Sequence, residues 1–109
     1  MSLITTHVLD TAAGGPVEGI RVLLEYREKP EQPCSIISQG KTDADGRLHC
    51  RFPGDQPPKP GLYSLRFDTS KVSPFFPEVL IQFNVADVEQ HYHVPLLLTH
   101  FGYTTYRGS

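Results

Sequence analysis

The chain has 109 residues, the length of one ordinary domain. Ten Lys and Arg against twelve Asp and Glu give a formal net charge of −2, so there is no basic excess to track a phosphate backbone, and nucleic acid is not an expected partner. Nine glycines and ten prolines argue against a helical bundle, 39% apolar residues argue against global disorder, and no apolar run approaches the ~20 residues of a membrane span.

The opening MSLITTHVLD lacks the charged and apolar regions of a secretory signal, so the expected compartment is the cytoplasm, with Cys34 and Cys50 as reduced thiols. Ile4–Asp10 is the first strand candidate, and Ala12–Pro16 breaks it. Gly19–Glu28 places Ile20, Val22, Leu24 and Tyr26 on one face, with Arg21, Leu23, Glu25 and Arg27 on the other. Cys34–Ser38 is a shorter candidate. Asp43-Ala-Asp-Gly46 reads as a tight turn. The strand it opens puts Arg47, His49 and Arg51 on one face and Leu48, Cys50 and Phe52 on the other. After the proline-rich 53–60 come Leu62–Phe67 and then Asp68–Pro74, where Pro74 and Pro77 leave at most about a turn or two of helix. Val79, Ile81, Phe83 and Val85 alternate with polar residues. His91–Leu98 forms a further strand candidate, and the aromatic, Thr-rich 101–109 reads as a last strand paired into the sheet or as a segment buried at an interface. Strand-length segments between such turns predict an all-β sandwich or barrel with little or no helix, as a single domain over residues 1–109.

Five histidines offer chemistry. His91 and His93 point to the same side of their strand, with Cα atoms roughly 6.5–7 Å apart. That spacing permits a shared site, a metal included, but no HExxH, CxxC or acidic ligand run supports one. The Arg47/His49/Arg51 stripe is what any half-buried strand displays toward solvent. No GxSxG elbow or phosphate-binding glycine loop is present. Composition and spacing therefore reach a small β domain with a polar stripe and go no further.

The two ends of the chain carry a more specific pattern. Ile4-Thr-Thr-His-Val-Leu-Asp10, Gly15-Pro-Val17, Asp45-Gly-Arg47, Phe75-Phe-Pro-Glu78, His91-Tyr-His-Val-Pro-Leu-Leu-Leu98 and the closing Tyr106-Arg-Gly-Ser109 together resemble the hydroxyisourate-hydrolase branch of the transthyretin-like family. The YRGS ending marks the hydrolases and is absent from the hormone-carrier branch. The resemblance implies a transthyretin-like β-sandwich of two four-stranded sheets, assembled as a homotetramer (a dimer of dimers) with active sites in a channel between dimers. It implies hydrolysis of a small purine-derived substrate, 5-hydroxyisourate, in urate degradation, without cofactor or metal. Carried over by motif, His7, Arg47 and His93 are catalytic, and Tyr106, Arg107, Gly108 and Ser109 line the substrate pocket. His49, His91 and His100 fall outside the implied site. The Asp68–Pro74 connection is shorter than the helix-bearing one typical of the family, so that helix is expected to be truncated or missing. A carrier of small aromatic ligands and a purely structural sandwich module are the competing expectations.

Overall fold

Alternating apolar and polar residues become strands in a computed structural model that describes residues 3–108. Nine strands lie among these residues: β1 (Ile4–Asp10), β2 (Gly15–Pro16), β3 (Arg21–Arg27), β4 (Ser35–Lys41), β5 (Arg47–His49), β6 (Gly61–Asp68), β7 (Glu78–Val85), β8 (Tyr92–Leu98) and β9 (Tyr103–Thr105). One sheet is antiparallel throughout, in the order β4-β3-β6-β7. The other runs β2-β1-β8-β9, with β5 also on β1. There, Thr5–His7 pair with β5 and Leu9–Asp10 with β2, so the two short strands share one edge of β1 and the sheet is four strands wide. Strand β1 runs parallel to β8, its neighbour on the other edge. The all-β sandwich expected from the sequence is the architecture found.

The core lies between the sheets. Val22 and Leu24 of β3, Leu65 and Phe67 of β6, and Val79 and Val85 of β7 face Ile4 and Val8 of β1 and Leu96 and Leu98 of β8, all at most 1% exposed. Fully burying side chains of this size contributes about 1.5–3 kcal/mol each. Two core tyrosines keep their hydroxyls satisfied at the rim of the sandwich. Tyr63 donates to the Lys59 carbonyl at 2.7 Å, and Tyr92 donates to the Asp87 carbonyl at 3.0 Å. On the outer face of the β4-β3-β6-β7 sheet, Arg66 joins Glu25 at 3.2 Å and Glu78 at 2.7 Å. That pairing explains how Glu25 comes to be buried on a face that reads as polar.

Between β6 and β7 one hydrogen-bonded turn remains. The Val72 and Ser73 N–H groups both donate to the Thr69 carbonyl, and Pro74, which has no N–H, stops further winding. The Thr69 N–H donates to the Pro77 carbonyl at 3.0 Å and closes the loop. Among the described residues, no helix is long and apolar enough to cross a membrane.

Candidate active site

Period-2 geometry decides which side chains share a face. On β1, Ile4, Thr6 and Val8 turn inward, which leaves Thr5 and His7 facing out. The register sets Thr5 opposite His49 and His7 opposite Arg47 on β5, and Thr5 opposite His93 on β8. Tyr92 and Val94 face the core, so His91 and His93 face out with Thr5 and His7. Thr5, His7, Arg47, His49, His91 and His93 therefore form one outer patch, drawn from three strands far apart in sequence. Arg47 and His49, from the polar stripe expected to be ordinary solvent-facing surface, supply two of the six residues of this patch. The other four come from β1 and from β8 with the residue that precedes it, and only the parallel pairing of those strands brings them alongside.

Arg47 is placed by its turn. The Asp43 carboxylate accepts the Asp45 and Arg47 N–H groups, both at 2.9 Å, and these bonds hold its pKa below the ordinary carboxylate value. Gly46 completes the turn at φ +74°, a conformation that favours glycine. A Cβ there would also sit 2.5 Å from the Val8 carbonyl oxygen. The Gly46 carbonyl in turn accepts the Val8 N–H at 2.7 Å, docking the turn on β1 so that Arg47 lies beside His7.

His93 is held on both flanks. Its Nδ1 is 2.8 Å from the Thr5 hydroxyl oxygen, which also lies 2.9 Å from His91 Nε2. On the opposite flank the Gly108 N–H donates to the His93 carbonyl at 2.8 Å, and the Gly108 α-carbon packs against the ring. Partial burial lowers the pKa of His93, and Arg47, His91, His7 and His49 push it further the same way. His93 is thus neutral over a wider pH range than an ordinary histidine.

The C-terminal segment divides between two surfaces. β9 pairs antiparallel with β8 at Leu96↔Thr105, and the same register reaches His93↔Gly108. This alignment sets Tyr106 beside Pro95, on the face of His93, and Arg107 beside Val94, on the core side. The Arg107 guanidinium accordingly lies 4.4 Å from the centre of the Tyr92 ring, and it donates to Gln90 Oε1 at 3.0 Å and to the His91 carbonyl at 3.3 Å. A cavity of about 230 Å³ on this flank is lined by residues that include Ile81, Phe83, Tyr92, Val94, Tyr106 and Arg107. Of the six residues expected at the site within the described range, His7, Arg47, His93 and Gly108 come together. Tyr106 borders them, and Arg107 turns away. Ser109 lies outside the described residues. His91, read from the sequence as outside the site, touches it through Thr5. No sequence signal singled out the Thr5 hydroxyl, whose role exists only once β1 and β8 are adjacent. Among the described residues, no group of three or more His, Cys, Asp and Glu side chains is arranged to hold a metal ion.

Comparison with known proteins places the chain in a family. The profile of the HIUase/Transthyretin family matches residues 4–108. A 5-hydroxyisourate hydrolase of Salmonella dublin is 38% identical over 99% of this chain and 82% of its own. The structure of Klebsiella pneumoniae 5-hydroxyisourate hydrolase superposes over the whole of both chains, with a TM-score of 0.78 at 31% identity. Sea bream transthyretin in complex with thyroxine superposes over 97% of this chain and 94% of its own, with a TM-score of 0.83 at 26% identity. The chain also superposes on an (S)-allantoin synthase with a TM-score of 0.82 at 31% identity, where it spans 43% of that longer chain. Backbone shape alone does not separate hydrolase from carrier, but the profile and the sequence identities agree on the common stock. This chain belongs to the HIUase/Transthyretin family.

Proposed function

We propose that this chain is a single-domain hydrolase that opens the six-membered ring of 5-hydroxyisourate at its C6 carbonyl, a step of urate degradation, and releases 2-oxo-4-hydroxy-4-carboxy-5-ureidoimidazoline. The observation that carries the reading is the convergence of His7, Arg47 and His93 on one outer face, where partial burial and the Arg47 charge hold the His93 pKa below the ordinary histidine value. Relatives named 5-hydroxyisourate hydrolase that align over nearly the whole chain support it.

The chemistry follows from the residue types. Water is a poor nucleophile near neutral pH and needs a base, and a neutral imidazole supplies one. His93 takes a proton as the water oxygen bonds to C6. The carbonyl oxygen becomes negative, and the Arg47 guanidinium stabilises that charge. The C6–N1 bond then breaks, its electron pair stays on N1, and N1 takes a proton from the imidazolium. His7, beside Arg47, orients the water. Tyr106 and Gly108 wall the site, and no cofactor, metal or covalent nucleophile is needed. The face is open on one chain, so the proposed working form is a homotetramer in which a second copy closes the channel, in the cytoplasm.

The test follows the ultraviolet absorbance of freshly generated 5-hydroxyisourate with and without protein. Accelerated decay that is lost in Arg47→Ala and His93→Ala supports the proposal. Unaccelerated decay, together with saturable binding of a small aromatic ligand, overturns it in favour of a carrier.

A further inference from the structure

Thr5 is 7% exposed, yet its hydroxyl lies between two imidazoles, 2.9 Å from His91 Nε2 and 2.8 Å from His93 Nδ1. A hydroxyl has one proton to donate and can accept others. Two ordered chains are therefore available. In one, His93 Nδ1–H donates to Thr5 and Thr5 donates to His91 Nε2. The reverse chain runs from His91 Nε2–H through Thr5 to His93 Nδ1, and leaves the His93 proton on Nε2.

The surroundings select the first. With Nδ1 turned to Thr5 and Cδ2 against Gly108, the far edge of the His93 ring, which carries Nε2, points away from the sheet. It points into a face that also bears Arg47, His7 and His49. A positive environment favours a lone pair over an N–H at that edge and places the proton on the sheltered nitrogen. His91 matches this polarity, because its neutral ring offers Nε2 as an acceptor when its own proton is on Nδ1.

We propose that Thr5 and His91 are positioning residues: through the chain His93 Nδ1–H to Thr5 to His91 Nε2, they fix the His93 tautomer with Nε2 open to accept a proton. The catalytic purpose of the pair rests on the reading in which His93 activates water, whereas the tautomer itself does not depend on any substrate. Neither residue touches the reacting atoms. Their contribution is to hold the ring in one rotamer and one protonation pattern before substrate arrives, which is what a buried partner does for a histidine base.

The experiment uses the full chain in two measurements. Isotope-edited NMR of the histidine ring nitrogens, at a mildly alkaline pH where His93 is neutral, reads its tautomer directly. The expected result is Nδ1–H in the unmodified protein, with a shift toward Nε2–H in Thr5→Val and in His91→Phe. Thr5→Val keeps the β-branched shape and removes the hydroxyl. His91→Phe leaves Thr5 in place but frees its proton to donate to His93, so it carries the test even where the first variant fails to fold. In kinetic assays both variants lose about 10- to 100-fold in kcat, with KM changed by less than about two-fold. Thr5→Ser restores both kcat and the tautomer. An Nε2–H tautomer in the unmodified protein, or an unchanged Nδ1–H tautomer in both variants, overturns the proposal. An Nδ1–H protein that hydrolyses nothing sinks the functional reading and leaves the tautomer assignment standing, so the two failures are distinguishable.

Discussion

Gly108 lies so close to His93 that a Cβ at position 108 would sit 2.6 Å from Cδ2 of the imidazole. The contact leaves no room for a side chain, and it explains why glycine suits this place in the YRGS ending. Gly108→Ala must push either the ring or the tail aside. The expected outcome is a loss of about 10- to 100-fold in kcat/KM, since small misplacements of a reacting group are costly. The accompanying destabilisation is about 1–3 kcal/mol, as for other overpacked sites. Steady-state assays and thermal melts of the same preparation check both parts. An alanine variant at full rate would remove Gly108 from the machinery.

The lowered pKa of His93 sets the direction of two pH effects. In the proposed mechanism, kcat/KM falls on the acid side with an inflection below the ordinary histidine value of ~6.5. Arg47→Ala removes the charge that contributes most after burial, so the inflection moves up toward that value. The rate at the plateau drops about 10²- to 10³-fold with the loss of oxyanion stabilisation. For stability, the unfolded state binds the proton more readily than the folded one. His93 therefore contributes stability that is fully present above the unfolded pKa and is lost as pH falls through the folded one. Denaturant titrations across that acid range, compared between the unmodified protein and His93→Gln, measure the effect. A flatter pH dependence is expected in the variant.

The two thiols differ in burial. Cys50 is 7% exposed, and burial pushes its pKa up to about 12, so it stays protonated and shielded near neutrality. Cys34 is half-buried in the segment before β4. Iodoacetamide applied to the native protein should label Cys34 and spare Cys50, and both should react after denaturation. Mass spectrometry of peptides reads the result, and rapid labelling of native Cys50 would contradict the packing around it.

Arg107 serves the tail from the core side. Its guanidinium covers the Tyr92 ring and ties the tail to Gln90 and to the His91 carbonyl. Arg107→Ala should cost about 0.5–1 kcal/mol from the lost cation–π contact. It should also loosen Gly108 against His93, so activity falls more than stability does. Thermal melts and kcat measured together separate the two effects. A large drop in kcat/KM through weakened substrate binding, with the tail still ordered, would instead put the guanidinium in the substrate pocket.

Much of the sandwich is legible in the chain because period-2 alternation is strong where one face is buried. Gly19–Glu28 and Val79–Val85 each display their core side directly, and they became β3 and β7. The strand expected after Gly46 is shorter than its alternation suggests and ends at His49. The alternation itself persists, with Cys50 buried and Phe52 half-buried. The site was legible only in part. Spacing places Arg47 with His49 and His91 with His93, and the family motifs add His7 and Gly108. The Thr5 bridge depends on a parallel pairing between segments 88 positions apart, which no local pattern encodes. The flanking place of Arg107 depends likewise on a register continued past the end of β9.

The side-by-side placement of β1 and β8 has a consequence for biosynthesis. Strand β1 is synthesised 88 residues ahead of its partner β8, so chain closure is long-range and slow compared with the hairpins between. Until β8 emerges from the ribosome, the inward Ile4 and Val8 lie on an unpaired edge, a template for wrong partners. A chain cut short before Tyr92 would therefore be sticky as well as inert, and only a nascent polypeptide translated through Leu98 can bury that edge.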